Sequence, residues 1–228
     1  MQQKTHKPNS KAHKPNAKLH KPRSPAPATR RRVRNICVYC GSNPGTNPAY
    51  TQAARRLGAA MAKERIGLVY GGGGLGLMGE LARAVLAGGG HVTGIIPAFL
   101  SEKEHMLRDV DELIVVEDMH QRKKLMFDKS DAFVALPGGI GTLEELVEQL
   151  TWAQLGRHTK PIVLVNIGGF WEPLLSLFRH MSEEAFIRRD MDVRPITVAK
   201  AEDVLPAIIS AAATRPREPA GVAVSEKF

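Results

Sequence analysis

No acidic residue occurs before Glu64, no run of 18 apolar residues occurs anywhere, and only two cysteines are found among 228 residues. Each absence excludes something. Without a long apolar run no membrane-spanning helix is expected, and without an apolar stretch near the start no secretory signal is expected there. The prolines of the same region spoil the amphipathic helix that a transit peptide needs. The missing acids also explain the formal charge of +9: the first 34 residues hold eleven of the 32 lysines and arginines, which leaves 21 basic against 23 acidic residues beyond them. The bulk of the chain is therefore near neutral, and its basic balance describes a tail.

That tail, residues 1–34, carries a near-repeat at His6-Lys7-Pro8-Asn9, His13-Lys14-Pro15-Asn16 and His20-Lys21-Pro22-Arg23, with almost nothing apolar to bury. It is expected to be disordered. A solvated tail is the plain reading; weak, salt-dependent contact with nucleic-acid phosphates is the alternative, as is loose metal binding by the spaced histidines. Residues 214–228 are expected to form a flexible C-terminal tail, leaving one domain over residues 35–213.

The two cysteines, Cys37 and Cys40, sit in the apolar run Ile36-Cys37-Val38-Tyr39-Cys40. In a strand, side chains three apart point to opposite faces, so this spacing reads as two core cysteines and not as a redox pair. A reducing, cytoplasmic compartment fits.

From Arg34 onward, short β-branched or apolar runs alternate with helical patterns, the signature of βαβ units. Strands are expected at Asn35 to Cys40, Gly67 to Tyr70, His91 to Ile96, Glu112 to Val116, Ala132 to Leu136, Pro161 to Asn166 and Pro195 to Val198. Helices are expected near Pro48 to Arg65, Leu77 to Ala87, Met119 to Lys129, Thr142 to Leu155, Trp171 to Ser182 and Ala201 to Ala213. The fold class is α/β: a Rossmann-like three-layer arrangement, with a mainly parallel sheet covered by helices on both faces.

In such sheets ligands sit beyond the carboxyl ends of the strands. Three of the loops there are rich in glycine: Gly41-Ser42-Asn43, Gly71 to Gly76, and Pro137-Gly138-Gly139-Ile140-Gly141-Thr142. Glycine lets backbone N–H groups approach an anion at a helix start, and phosphate is the natural guest of the third loop. Gly74-x-Gly76-x-x-Gly79 matches a dinucleotide fingerprint in form, but the following strand ends Gly94-Ile95-Ile96-Pro97 without the acid that would hold a ribose. No Walker lysine follows Gly141. A mononucleotide or sugar phosphate therefore suits these loops better than NAD or ATP.

Thr142-x-x-Glu145 has the form of a capping box, which would turn Glu145 back onto its own helix; the same turn would otherwise place Glu145 beside a phosphate-bearing ligand. Ser101-x-x-Glu104 shows the same ambiguity. Arg122 and Lys123 belong to the charged stretch Asp118-Met119-His120-Gln121-Arg122-Lys123-Lys124, for which an exposed cationic face is the default reading. His120 stands alone, and no Cys/His/Asp cluster for a metal is visible.

Taken in order, Tyr70-Gly71-Gly72-Gly73, Gly76-Leu77-Met78-Gly79, Met119-His120-Gln121-Arg122-Lys123, Pro137 to Glu145 and Thr151-Trp152-Ala153-Gln154-Leu155-Gly156 resemble the Lonely Guy family of cytokinin-activating phosphoribohydrolases over about Asn35 to Ile187. The resemblance implies a Rossmann-like homodimer without cofactor or metal. It also implies hydrolysis of the N-glycosidic bond of a nucleoside 5′-monophosphate, AMP or an N6-modified AMP, to free base and ribose 5-phosphate. By position it makes Arg122 and Glu145 the catalytic pair, and Glu104, Lys123, Gly139, Ile140, Gly141, Thr142, Leu143, Glu144 and Thr151 substrate contacts. Ile140 stands where plant-type members commonly carry tyrosine, and Gly74 where a side chain often sits. Many similar proteins bear a lysine decarboxylase label, but pyridoxal phosphate chemistry needs a dedicated Schiff-base lysine that nothing in this sequence marks. The alternative within the same fold is a non-catalytic nucleotide sensor or carrier.

Overall fold

The computed structural model describes residues 33–101, 105–187 and 194–214. The segments expected to be terminal tails fall almost wholly outside them, as does Glu104. Among the described residues, seven strands form one sheet: β1 (Asn35–Tyr39), β2 (Gly67–Tyr70), β3 (Val92–Pro97), β4 (Glu112–Val116), β5 (Ala132–Ala135), β6 (Ile162–Val165) and β7 (Ile196–Val198). Their order is β4-β3-β2-β1-β5-β6-β7, and every neighbouring pair is parallel. The chain thus winds outward from β1 to one edge, returns to β5 beside β1, and winds to the other. The reversal leaves a crevice outside the carboxyl ends of β1 and β5, where a doubly wound sheet takes its ligands.

The helices are α1 (Pro48–Lys63), α2 (Gly76–Ala87), α3 (Ala98–Ser101), α4 (Met119–Asp128), α5 (Ile140–Gln154), α6 (Glu172–Glu183) and α7 (Val204–Ala213). Local chemistry sets several of their starts. Asn47 caps α1, its side chain accepting from the Ala49 N–H at 2.9 Å with Pro48 in the first turn, and Asp118 caps α4 by accepting from the Gln121 N–H at 2.8 Å. α3, a single turn, was not legible in the loop after Pro97. There Ser101 lies within α3 and its hydroxyl donates to the Ala98 carbonyl, so Ser101 itself is not an N-cap.

Central strands such as β2, β5 and β6 are buried along their whole length, which is why they read as unbroken apolar runs. One core layer joins the sheet to α1, α2 and α7, with Leu57, Met61, Leu81, Val85 and Ile208 at its centre. The other joins it to α4, α5 and α6 through Met126, Phe133, Leu146, Leu150 and Trp171. Val33 already packs into the first layer and the Arg34 N–H donates to Asp131, so the packed domain includes at least the two residues before Asn35.

The cysteines divide between the layers as the spacing predicts: Cys40 in the first, Cys37 in the second, both free thiols. Burial above all, and then the nearby Glu145 carboxylate, push both thiols far above the ordinary cysteine value. Iodoacetamide at mildly alkaline pH is therefore expected to leave both unmodified in the native protein and to label both in urea, counted by intact mass. Labelling of either native thiol would show that the sheet opens there.

Candidate active site

The three glycine loops meet at the crevice, and they do not play equal parts. The Gly41 carbonyl accepts from the N–H groups of Leu77 and Met78 at 3.0 and 3.3 Å, and the Gly41 N–H donates to the Pro137 carbonyl at 3.1 Å. The first loop thereby occupies the donors at the start of α2, which withdraws the fingerprint-like Gly74-x-Gly76-x-x-Gly79 from phosphate binding. At the start of α5 no such acceptor is found among the described residues. Gly139 is an extended N-cap without a side-chain hydrogen bond, and Gly139, Ile140 and Gly141 are exposed, Ile140 at 81%. The first amides of a 15-residue helix thus open to solvent at the crevice, where the helix dipole favours an anion.

α5 begins two residues before the expected Thr142, and this changes the meaning of Glu145. Thr142 lies in the first turn, is buried, and packs over Gly138, where an added Cβ would stand closer to the Thr142 hydroxyl than any atom can. It is not the N-cap, so no capping box forms. Glu145 instead sits in the second turn on the inward face, 8% exposed, with its Oε1 3.6 Å from Nη2 of Arg122.

Arg122 corrects the expectation of an exposed cationic face. On α4 it is 6% exposed; its guanidinium donates to the Gly71 carbonyl at 3.4 Å and approaches the Met119 sulfur at 3.7 Å, while Nε is buried without a partner. Gly71 makes this possible, because any side chain there would collide with Nη2. Lys123 is likewise drawn in, its side chain 11% exposed, between Glu144 and Glu148 (2.9 Å). Burial presses its ammonium toward the neutral form, but the two glutamates outweigh this and hold its pKa above the ordinary lysine value. Of the basic trio only Lys124 faces water, and His120 is exposed.

The structure thus gathers Arg122, Lys123, Glu144, Glu145, Thr142 and the Gly139–Gly141 amides at one place, with Leu143 half-buried beside them. Thr151 is not among them: it is exposed, six residues beyond Glu145 and about 120° around the helix, with its hydroxyl donating to the Val147 carbonyl at 2.8 Å. Sequence reasoning missed Glu148, Gly71 as the seat of the guanidinium, and the wall of the site formed by β1. There the pKa of Tyr39 is raised by burial first, then by Cys37 and Glu145. The donor set is one of amides, a guanidinium and carboxylates, and among the described residues no group of three or more His, Cys, Asp or Glu side chains is placed to hold a metal. It can bind a phosphoryl group at the helix start and present a buried carboxylate to whatever that group is attached to.

Comparison with known proteins points the same way. Residues 78–208 match a family described as "possible lysine decarboxylase". The chain is 50% identical over 159 residues, 70% of its length and 73% of the relative's, to a cytokinin riboside 5′-monophosphate phosphoribohydrolase of Arabidopsis thaliana. It is 47% identical over 178 residues, 78% of its length and 80% of the relative's, to a probable cytokinin riboside 5′-monophosphate phosphoribohydrolase of Oryza sativa subsp. japonica. Among solved structures, the molybdenum cofactor carrier protein of Chlamydomonas reinhardtii shares the fold with a TM-score of 0.60 at 23% identity, covering 79% of this chain and 98% of that one.

The buried pair carries a prediction for stability. Arg122→Met strands a carboxylate in the interior and is expected to destabilise the fold by about 3–5 kcal/mol in urea unfolding. Lys124→Met, at a side chain 73% exposed, is expected to change it by less than about 0.5 kcal/mol.

Proposed function

The chain belongs to the Lonely Guy family, and from that membership and its site we propose how it acts as a phosphoribohydrolase on nucleoside 5′-monophosphates. It is a hydrolase that cleaves the N-glycosidic bond to give free base and ribose 5-phosphate, in keeping with the name cytokinin riboside 5′-monophosphate phosphoribohydrolase that its curated relatives carry. The observation that carries the assignment of roles is the buried Arg122–Glu145 pair one turn below the open start of α5.

The 5′-phosphate docks on the amides of Ile140, Gly141 and Thr142, where the helix dipole and unpaired N–H groups favour it. That contact is remote from the reacting bond and serves to orient the sugar. As the bond from C1′ to the base nitrogen breaks, its electron pair leaves with the base and positive charge builds on the ribose, as in other glycoside hydrolyses. The Glu145 carboxylate stabilises that charge and accepts a proton from the water whose oxygen bonds to C1′; the proton is then returned to the departing base. Arg122 orients Glu145 through its planar fork, and Lys123 holds Glu144 and Glu148 beside the phosphate. AMP and N6-modified AMP are the substrate class that the family implies.

A homodimer completes the reading. Ile140, Val147 and Leu155 are exposed at 81%, 38% and 68% along one outer stripe of α5, with Thr151 among them. Thr151, which the resemblance assigns to nucleotide contact, faces away from its own Glu145, so it serves the site of the second copy. Two buried free thiols suit a reducing, cytoplasmic setting.

Purified protein is expected to release adenine and ribose 5-phosphate from AMP while leaving adenosine intact, and to sediment at twice its chain mass. Glu145→Gln should lower kcat by at least about 100-fold with nucleotide affinity largely kept. Full activity of Glu145→Gln would sink the mechanism, and tight AMP binding without turnover in the wild type would identify a carrier instead.

A further inference from the structure

α5 carries a second polar side chain on the face that holds Glu145. Gln149, four residues on, is 0% exposed, and both its amide nitrogen and its carbonyl oxygen are without a hydrogen-bond partner. An amide left unpaired in a dry interior is unfavourable, and few such groups survive in folded chains without a reason.

Its surroundings narrow the reason. Residues four apart on a helix stand about 5–6 Å apart at Cβ, and helical side chains lean toward the N-terminus, so Gln149 reaches back toward the turn of Glu145. On its other side the backbone is anchored: Nε2 of the buried His158 meets the Gln149 carbonyl at 3.1 Å, and Nδ1 accepts from the Lys160 N–H at 3.1 Å. Above, the contact of Arg122 with Glu145 at 3.6 Å is longer than the roughly 2.7–2.9 Å of a closed charge-assisted bond. The guanidinium does not close a short bond to the carboxylate.

We propose that Gln149 is a positioning residue for catalysis: with nucleotide bound, its amide N–H donates to the Glu145 carboxylate, directly or through one buried water, while Arg122 holds the carboxylate from α4. This rests on the role given to Glu145 above. A donor to the charged form favours the carboxylate, the state that both steadies positive charge on the ribose and takes a proton from water. Among the groups close to Glu145 are Arg122 on α4, Cys37 and Tyr39 on β1, and Cys40 just beyond it, with Lys123 and Glu148 paired alongside. Burial holds the two thiols and the phenol protonated, so none of them supplies charge to oppose or replace Gln149.

The test uses Gln149→Leu and Gln149→Met, which fill similar space without hydrogen bonds and should fold with equal or higher Tm. In both, the acidic limb of the kcat/KM profile for AMP is expected to move up by about one pH unit, and plateau kcat to fall about 3–10-fold with KM little changed. In parallel, the pKa of the Glu145 side-chain carboxyl, followed by carbon-13 titration in protein saturated with formycin 5′-monophosphate, an AMP analogue whose carbon–carbon glycosidic bond resists hydrolysis, and assigned by its loss in Glu145→Gln, is expected to shift upward in the same variants. A wild-type enzyme inert toward AMP would sink the proposed function and leave the carboxyl titration to decide this inference. Variants that fold yet match the wild type in profile and titration would overturn it. So would a loss of Tm in both with the acidic limb unmoved, since Gln149 would then serve packing alone.

Discussion

Arg122 and Glu145 are each less than a tenth exposed, their charged groups stand 3.6 Å apart, and they come from different helices on the same face of the sheet. Neither charge is tolerable there without the other, because a buried ion left unpaired is far more unfavourable than the pair. Much of the nearby geometry follows from that. Gly71 must lack a side chain to admit the guanidinium, Asp118 must start α4 so that Arg122 points inward one turn later, and α5 must start early enough to turn Glu145 toward β1. The pair is weak evidence for stability as such; it is strong evidence that a charge is wanted in the crevice.

The strand order explains why the crevice is there, and the hydrogen bonds explain which glycine loop can serve a ligand. β1 and β5 lie side by side where the winding reverses, so their following loops part and leave room. The Gly41 carbonyl closes off the start of α2, while the start of α5 stays open to solvent. Two glycine-rich segments that look alike in sequence thus divide into a structural brace and an open helix start suited to an anion. A phosphate held there would lie one helical turn from the carboxylate, a spacing at which binding of the phosphate would orient a sugar against Glu145.

Most of the fold was legible because both its signals are local. All seven strands show apolar runs of strand length, and the helices announce themselves by periodicity and caps. The strand-like spacing of Cys37 and Cys40 likewise placed them in opposite core layers. What stayed hidden depends on contacts between distant segments. Asp118 to Lys124 reads as a solvated charged helix, and only the approach of Gly71 and Glu145 draws Arg122 into the interior. Thr142-x-x-Glu145 has the form of a cap, but Gly139 takes that position because the chain leaves β5 already extended. Gln149 resembles any polar residue of an amphipathic helix until its burial is seen. Membership of the Lonely Guy family connects these particulars to a reaction, and the roles proposed for the residues rest on the geometry of the site.

The central claim is geometric: the amides at the start of α5 grip the 5′-phosphate and thereby set C1′ of the ribose against the carboxyl group of residue 145. A crystal structure of Glu145→Gln soaked with AMP tests it most directly. The account predicts phosphate oxygens on the N–H groups of Ile140, Gly141 and Thr142, with the substituted amide facing C1′. A nucleotide phosphate seated at α2 or elsewhere, or residue 145 turned away from the sugar, would contradict it.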